Sequence, residues 1–328
     1  MKELIRKLVE TYGPSGAEDG IRALITQEVQ SLADEVRVDP LGSLVAHKQG
    51  RDGGKRIVLA AHMDEIGVMV SYIDERGFAR FMSIGGVFSL TCVGARVTFA
   101  DGKTGVIGVE DKRENSDRIP KLNQLYIDVG ATSRDDCPVR VGDSAVFQRP
   151  FEVRGSRLIA KAMDDRIGCA VLIETLRRLQ ETPHDVYFVF SVQEETALSG
   201  ARTSAYGIDP DIAIAVDVTD TGDTPECWPM AVALGAGPAI KVQDWGMIAH
   251  PAVRDLMIEG AKAAGVPYQM EVLTSGTTDA SAMQLVRSGV PSGCLSVPCR
   301  YIHSPSEMVD EQDVENSVRL LLEVLRTA

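Results

Sequence analysis

Ile57-Val58-Leu59-Ala60-Ala61-His62-Met63-Asp64 is the stretch on which the fold turns. Five apolar residues in unbroken succession read as a short strand buried on both faces, as in a sheet wrapped by helices. The run stops at His62, which places a metal-type ligand at a strand end, where α/β sheets form their sites. Side chains alternate along an extended chain, so His62 and Asp64 share a side. Asp64 can therefore hold the tautomer and ring orientation of His62.

Outward from that run, the chain alternates. Upstream, Leu4, Ile5, Leu8 and Val9, then Ile21, Leu24, Ile25, Val29 and Leu32, recur at helical spacing over 2–12 and 18–33, with the turn Gly13-Pro14-Ser15-Gly16 between them. Short strands are expected at 35–39 and 43–48. From residue 158 onward helix and strand alternate again: helix 165–181, strand Asp185–Gln193, a short helix, strand Ile212–Val218, helix 251–264, a strand near 268–273, helix 278–288, strand 290–297 and helix 311–326. That alternation predicts an α/β fold with a mixed, largely parallel sheet flanked by helices. Residues 67–150 break the rhythm. They hold short β-type runs at 67–73, 78–83, 93–99, 104–109, 124–129 and 144–147, separated by turns such as Asp74-Glu75-Arg76-Gly77, and no good helix. Regular short strands point to a small inserted β-barrel. The expected organisation is a discontinuous α/β domain, 1–66 and 151–328, interrupted by a barrel at 67–150. The charged stretch Glu110–Pro120 reads as a mobile loop.

Ligand-type residues cluster at these strand ends. Asp164-Asp165-Arg166 opens a helix, where carboxylates also suit an N-cap. Glu194-Glu195 ends the apolar strand Val186–Gln193, and two adjacent acids there are costly without cations. On an extended chain they face opposite ways, so one would bind metal and the other face substrate as a base whose pKa burial raises toward about 6–7. Asp217 is a charge inside the apolar strand Ile214-Ala215-Val216-Asp217-Val218, and His303 follows the strand 290–297. Two histidines and several carboxylates form the inventory of a two-metal hydrolase. His47, on an edge strand, and His184 and His250, in loops, are weaker candidates. Ser275-Gly276-Thr277-Thr278-Asp279-Ala280 reads as a substrate-pocket loop.

Composition sets outer bounds. With 328 residues, 44% of them hydrophobic, the chain can build one large core or two domains. A net charge of −13 argues against nucleic acid or an anionic membrane as partner. No apolar run reaches the roughly 18 residues of a membrane span, and Met1–Lys7 lacks a signal-peptide core. Six cysteines without C-x-x-C spacing suggest free thiols and a reducing, cytoplasmic setting. There is no Gly-x-Ser-x-Gly elbow and no Walker-type phosphate loop.

Ala61-His62-Met63-Asp64-Glu65-Ile66-Gly67, Lys161-Ala162-Met163-Asp164-Asp165-Arg166-Ile167-Gly168, Val192-Gln193-Glu194-Glu195, Ala215-Val216-Asp217-Val218-Thr219 and Arg300-Tyr301-Ile302-His303-Ser304-Pro305 resemble, in order and spacing, the motifs of the tetrahedral (TET) metallo-aminopeptidases. That family includes glutamyl and deblocking aminopeptidases, some carrying the older label endoglucanase or cellulase M. The resemblance implies two divalent metal ions per subunit, zinc or cobalt with manganese as a further option. By the motifs, His62 and Asp217 would bind one ion, Glu195 and His303 the other, and Asp164 would bridge. Asp64 would orient His62, and Glu194 would act as general base. The resemblance also implies short peptide substrates, a PDZ-like insertion that pairs subunits, a tetrahedral dodecamer built from dimers, and a strained, cis-type peptide between Asp164 and Asp165. The chain departs from the family pattern at Thr196-Ala197-Leu198, at Glu226-Cys227-Trp228, at Ala236 and in a short stretch around Arg113–Pro120; no ligand position is lost. Rival readings are a carboxypeptidase or deacylase of the same clan, a glycosidase with paired carboxylates, and a non-catalytic scaffold. Glycosidase carboxyls flank a sugar without metal, and that leaves the histidines unexplained.

Overall fold

In the computed structural model, which describes residues 1–51, 53–110 and 119–328, the apolar run forms the strand Arg56–His62 near the middle of a mixed sheet. Among the described residues that sheet has 11 strands. Arg56–His62 pairs in parallel with Asp185–Ser191 on one side and Ile212–Thr219 on the other, and Ser292–Arg300 lies parallel beyond the latter. Antiparallel strands complete both edges: Leu44–Lys48 and Glu35–Val38 at one, Glu307–Asp310, Arg157–Ala160 and Glu152–Arg154 at the other. Ala239–Gln243 runs antiparallel to Ser292–Arg300 and carries Gln269–Val272 beside it.

The period-two pattern divides the core. Ile57, Leu59, Ala61, Phe188, Phe190, Ile214 and Val216 pack with the helices Lys2–Glu10, Asp19–Val29, Met163–Arg178, Pro251–Ala264 and Glu311–Thr327. Val58, Ala60, Val189, Ala213 and Ala215 face the other way, onto Ser199–Ile208 and Asp279–Met283. Helices on both faces are what continuously apolar strands require. Each fully buried aliphatic or aromatic side chain is worth about 1.5–3 kcal/mol, so these central strands are the least deformable support a site could have. The helix Met163–Arg178 is buried along nearly its whole length. Its Arg166, with no exposed surface, donates to the carbonyls of Leu8 (2.6 Å), Thr11 (3.1 Å) and Gly13 (3.2 Å), tying the first helix and the following turn beneath the sheet.

Among the described residues between Gly67 and Phe147, six short strands close a barrel around Val68, Val70, Phe81, Val97, Phe99, Ile107, Ile127 and Phe147. A helical turn at Ser89–Cys92 and a 3-10 turn at Leu122–Gln124 interrupt what sequence reads as purely β. The stretch expected to be a loop at Glu110–Pro120 lies outside the described residues from 111 to 118. Elsewhere the expected helix 278–288 is reduced to Asp279–Met283, and the strand expected at 290–297 runs to Arg300. Among the described residues no helix is long and apolar enough to cross a membrane.

Candidate metal centre

The parallel strands deliver the site because their carboxyl ends lie side by side. Ser191 is paired with His62, and Asp217 with Ser296, so the chain leaving each strand emerges into one cleft. The lining of this cleft, a cavity of about 750 Å³, includes His62, Asp164, Glu194, Glu195, Asp217 and His303.

Asp164 is at the centre. Its Oδ1 lies 2.9 Å from His62 Nε2 and its Oδ2 lies 3.3 Å from His303 Nε2. One carboxylate thus faces two imidazoles that are far apart in sequence. Glu195 Oε2 is 3.3 Å from His303 Nε2, and Glu194 Oε2 is 3.8 Å from His62 Nε2. Asp217 offers an oxygen within 4.8 Å of His62 and of Asp165. All six residues named above from sequence therefore converge.

Local chain geometry explains how. The peptide between Asp164 and Asp165 is cis, and both residues have non-helical dihedrals at the start of the helix. The two neighbouring acids do different things. Asp165 Oδ1 accepts from Gly168 N–H (3.0 Å), the N-cap arrangement expected of an acid at a helix start, and its Oδ2 accepts from His62 N–H (3.1 Å). Asp164 is left free to face the cleft. Glu194 and Glu195 are not the last residues of a strand. The strand ends at Ser191, Gln193 is left-handed (φ 56°), and the two acids open a four-residue helical turn. That turn aims them at different imidazoles on the same side of the cleft. Asp64 holds it in place: Oδ1 and Oδ2 accept from the N–H groups of Glu194 (3.1 Å) and Glu195 (3.2 Å), Oδ1 lies 3.5 Å from His62 Nδ1, and Ser15 Oγ donates to Oδ2 at 2.5 Å. His303 is also left-handed (φ 60°), held there by its N–H donating to Glu307 Oε1 at 2.9 Å.

Charge in the cleft is unbalanced. Asp64, Asp164, Asp165, Glu194, Glu195 and Asp217 surround two imidazoles, most of them inaccessible to water. Burial drives the Asp217 carboxyl up to about 7, with repulsion from Asp164 adding to it. Burial likewise raises Glu194 well above the usual carboxylate range, reinforced by Asp217, Asp279 and Glu195. The imidazoles respond in the opposite sense. Burial opposes charge on His303, yet its hydrogen bonds to Asp164 and Glu195 push it up to about 12. His62 is raised too, because Glu194 and Asp164 outweigh burial. Burial alone would raise Asp164, but the two imidazoles hold it below its ordinary value. Such a cluster calls for positive charge at its centre. Among the described residues Glu195 Oε1 is buried without a hydrogen-bond partner. Imidazole Nε2 atoms and carboxylate oxygens grouped within 4.8 Å are the donor set for divalent transition metals.

Several contributors escape a sequence reading. Glu307 donates nothing to the cleft, yet its carboxylate accepts from both Asp164 N–H (3.0 Å) and His303 N–H (2.9 Å). Asp279 lies beneath Glu194, hydrogen-bonded by Ser191 Oγ. From the barrel side, Gly85 (φ 73°) and Gly86 press against Glu195 and His303 so closely that a Cβ would collide with either side chain. The histidines judged weaker lie elsewhere: His47 pairs with Asp185 at 3.1 Å and stacks on Tyr187, and His250 caps the helix Pro251–Ala264. Ser275, Gly276, Thr277 and Thr278 do line the cavity, as the loop reading anticipates.

Comparison with known proteins agrees with this geometry. A family model described as M42 glutamyl aminopeptidase matches residues 42–320. A putative aminopeptidase of Acetivibrio thermocellus is 48% identical over 99% of this chain and 98% of its own length. Among solved structures, an aminopeptidase of the archaeon Desulfurococcus kamchatkensis superposes with a TM-score of 0.96 at 42% identity, covering 100% of this chain and 94% of that one. The Pyrococcus horikoshii TET1 peptidase, described as able to assemble into a tetrahedron or a large octahedral shell, superposes with a TM-score of 0.91 at 32% identity over 99% of both chains. The chain belongs to the M42 glutamyl aminopeptidase family and is a metal-dependent aminopeptidase.

Proposed function

We infer that the cleft is a dinuclear centre that removes N-terminal residues from short peptides. His62 and Asp217 would hold one divalent ion, Glu195 and His303 the other, and Asp164 would serve both. The observation that carries this reading is the carboxylate of Asp164, whose two oxygens face separate imidazoles at 2.9 and 3.3 Å. Asp165 is a poorer bridge, because its oxygens already accept two backbone N–H groups. Zinc or cobalt suits this mixed nitrogen and oxygen donor set, and manganese fits its carboxylate side.

The bound ions would acidify a water toward a pKa of about 7 and polarise the scissile carbonyl. Glu194 would act as the general base. Its carboxylate borders the cavity beside His62, and its raised pKa lets it take a proton and return it near neutral pH. The proton leaves the attacking water, a C–O bond forms at the carbonyl carbon, the C–N bond breaks, and Glu194 returns the proton to the leaving nitrogen. Asp64 does not touch the substrate in this scheme; its main-chain carbonyl lies 3.1 Å from His62 Nδ1, and its carboxylate holds the turn that carries Glu194 and Glu195. The decisive variant is Glu194→Gln. It should keep its metal while kcat falls by about 10²–10⁴, the range for loss of a positioned proton carrier. Full turnover with full metal content would reject the role.

We infer further that residues 67–150 are an inserted PDZ-like module that pairs subunits, and that the protein forms a homo-oligomer in the cytoplasm, built from dimers into a tetrahedral dodecamer. The support is the closed barrel, its exposed apolar residues Met69, Tyr72 and Met82, and the shells described for the Pyrococcus horikoshii relative. Light scattering tests the assembly: a mass near that of a single subunit would contradict it.

A further inference from the structure

Beyond the ligand cluster lies a second cavity of about 450 Å³, and Asp220, Leu273 and Ser275 line both. Trp228, Met230 and Val272 give the second cavity an apolar wall, and Trp228 is 74% exposed. Asp220 follows the strand Ile212–Thr219 directly and makes no hydrogen bond or salt bridge among the described residues. The basic residues lining either cavity are His62, His303 and Lys241. The imidazoles belong to the ligand cluster. Lys241 has no exposed surface; its Nζ donates to Glu271 Oε1 and lies 3.7 Å from Asp244 Oδ2. One ammonium set against two buried carboxylates is largely offset from below, and Lys241 does not line the second cavity.

The position of this pocket relative to the chemistry follows from its neighbours. The charged groups that act on Asp220 are His303, Asp164 and Lys241. Glu194, which must reach the leaving nitrogen, sits with Thr196, Ala197 and Leu198 along the same cavity. Asp220 borders both cavities, so a substrate whose carbonyl lies at the ligand cluster can extend its N-terminal side chain past Asp220 into the second one.

We propose that Asp220 and the apolar wall form the pocket for the substrate's N-terminal side chain and select long basic side chains, lysine and arginine, over acidic ones. This rests on the aminopeptidase reading of the metal centre. The aliphatic stem of a lysine packs on Leu273 and Met230, and its cation meets the unpaired Asp220 carboxylate, with the Trp228 face available for a cation–π contact. A glutamate in the same pocket faces Asp220 with no basic side chain in that cavity's lining, which is discrimination by repulsion as well as attraction.

The test compares kcat/KM for lysyl, arginyl, leucyl and glutamyl p-nitroanilides on the metal-loaded protein and on Asp220→Asn, Asp220→Glu and Asp220→Lys. The protein should favour lysyl and arginyl over glutamyl substrates. The lysyl-to-leucyl ratio should fall about two- to fivefold in Asp220→Asn, as for loss of one solvent-exposed charge pair. It should be largely kept in Asp220→Glu, while Asp220→Lys should shift preference toward glutamyl. An unchanged lysyl-to-leucyl ratio in Asp220→Asn, with turnover intact, would overturn the selectivity alone. A glutamyl preference in the unaltered protein would do the same. Absence of hydrolysis of every aminoacyl substrate would overturn the reading of the centre as well.

Discussion

Glu307→Gln isolates how much of the metal site is made by a residue that contacts no metal. The Glu307 carboxylate accepts from the backbone N–H of Asp164 and of His303, so one side chain sets the positions of two proposed ligands from distant parts of the chain. Glutamine keeps the shape, but only one of its two terminal atoms accepts. One N–H keeps its partner, and the other meets an NH2 group, donor against donor. In a side chain 1% exposed, the lost hydrogen bond and the desolvated amide together cost about 1–3 kcal/mol of folding stability. The displaced residue is Asp164 or His303, so metal affinity should fall about 10–100-fold, the usual effect of removing a group that orients a ligand. Titration of metal-free protein with zinc by calorimetry reads the affinity, and thermal unfolding of the same sample reads the stability. Unchanged zinc affinity in a variant destabilised as expected would refute the claim that this carboxylate positions both ligands.

Gly86→Ala should reduce metal affinity and activity with little change in the barrel's own fold, because the added Cβ runs into the His303 ring; zinc titration with circular dichroism separates the two effects. Arg166→Met should destabilise the protein by about 3–5 kcal/mol in urea unfolding, since it takes a cation from buried Glu65, 3.6 Å away, and strips the carbonyls of Leu8, Thr11 and Gly13 of their donor. Metal-free protein should lose stability as pH rises from about 4 to 7, because folding raises Asp217 from 3.8 to about 7 and the folded state holds a proton that the unfolded state has released. His303, raised from 6.5 to about 12, contributes in the same direction at higher pH: its stabilisation is complete below 6.5 and falls away toward 12. Zinc displaces those protons, so the gap in Tm between zinc-saturated and EDTA-treated protein should widen from about pH 5 to 8; a constant gap would contradict the proton accounting.

Which parts were legible in the sequence has a physical explanation. The strands Arg56–His62 and Ile212–Thr219 are buried on both faces, and their unbroken apolar runs record that directly. His62, Asp217 and the Glu194-Glu195 pair stand out because charge at the end of such a run has no ordinary reason to be there. What stayed hidden depends on partners distant in sequence. Ala239–Gln243, absent from the strands expected from sequence, carries Lys241 in its middle; Lys241 is buried only because Glu271, on the neighbouring strand, neutralises it. Glu307 sits in a serine-rich stretch whose polarity suggests solvent, and its role exists only once Asp164 and His303 are brought together. The Glu194-Glu195 geometry is not legible in sequence because strand alternation ends at Ser191 and the pair lies in a turn that Asp64 holds from elsewhere.

Anomalous diffraction from zinc-loaded crystals tests the central claim most directly. Two peaks should appear on either side of the Asp164 carboxylate, one beside His62 and Asp217, the other beside Glu195 and His303. A single peak, or a pair joined through Asp165 with Asp164 turned away, would contradict the account.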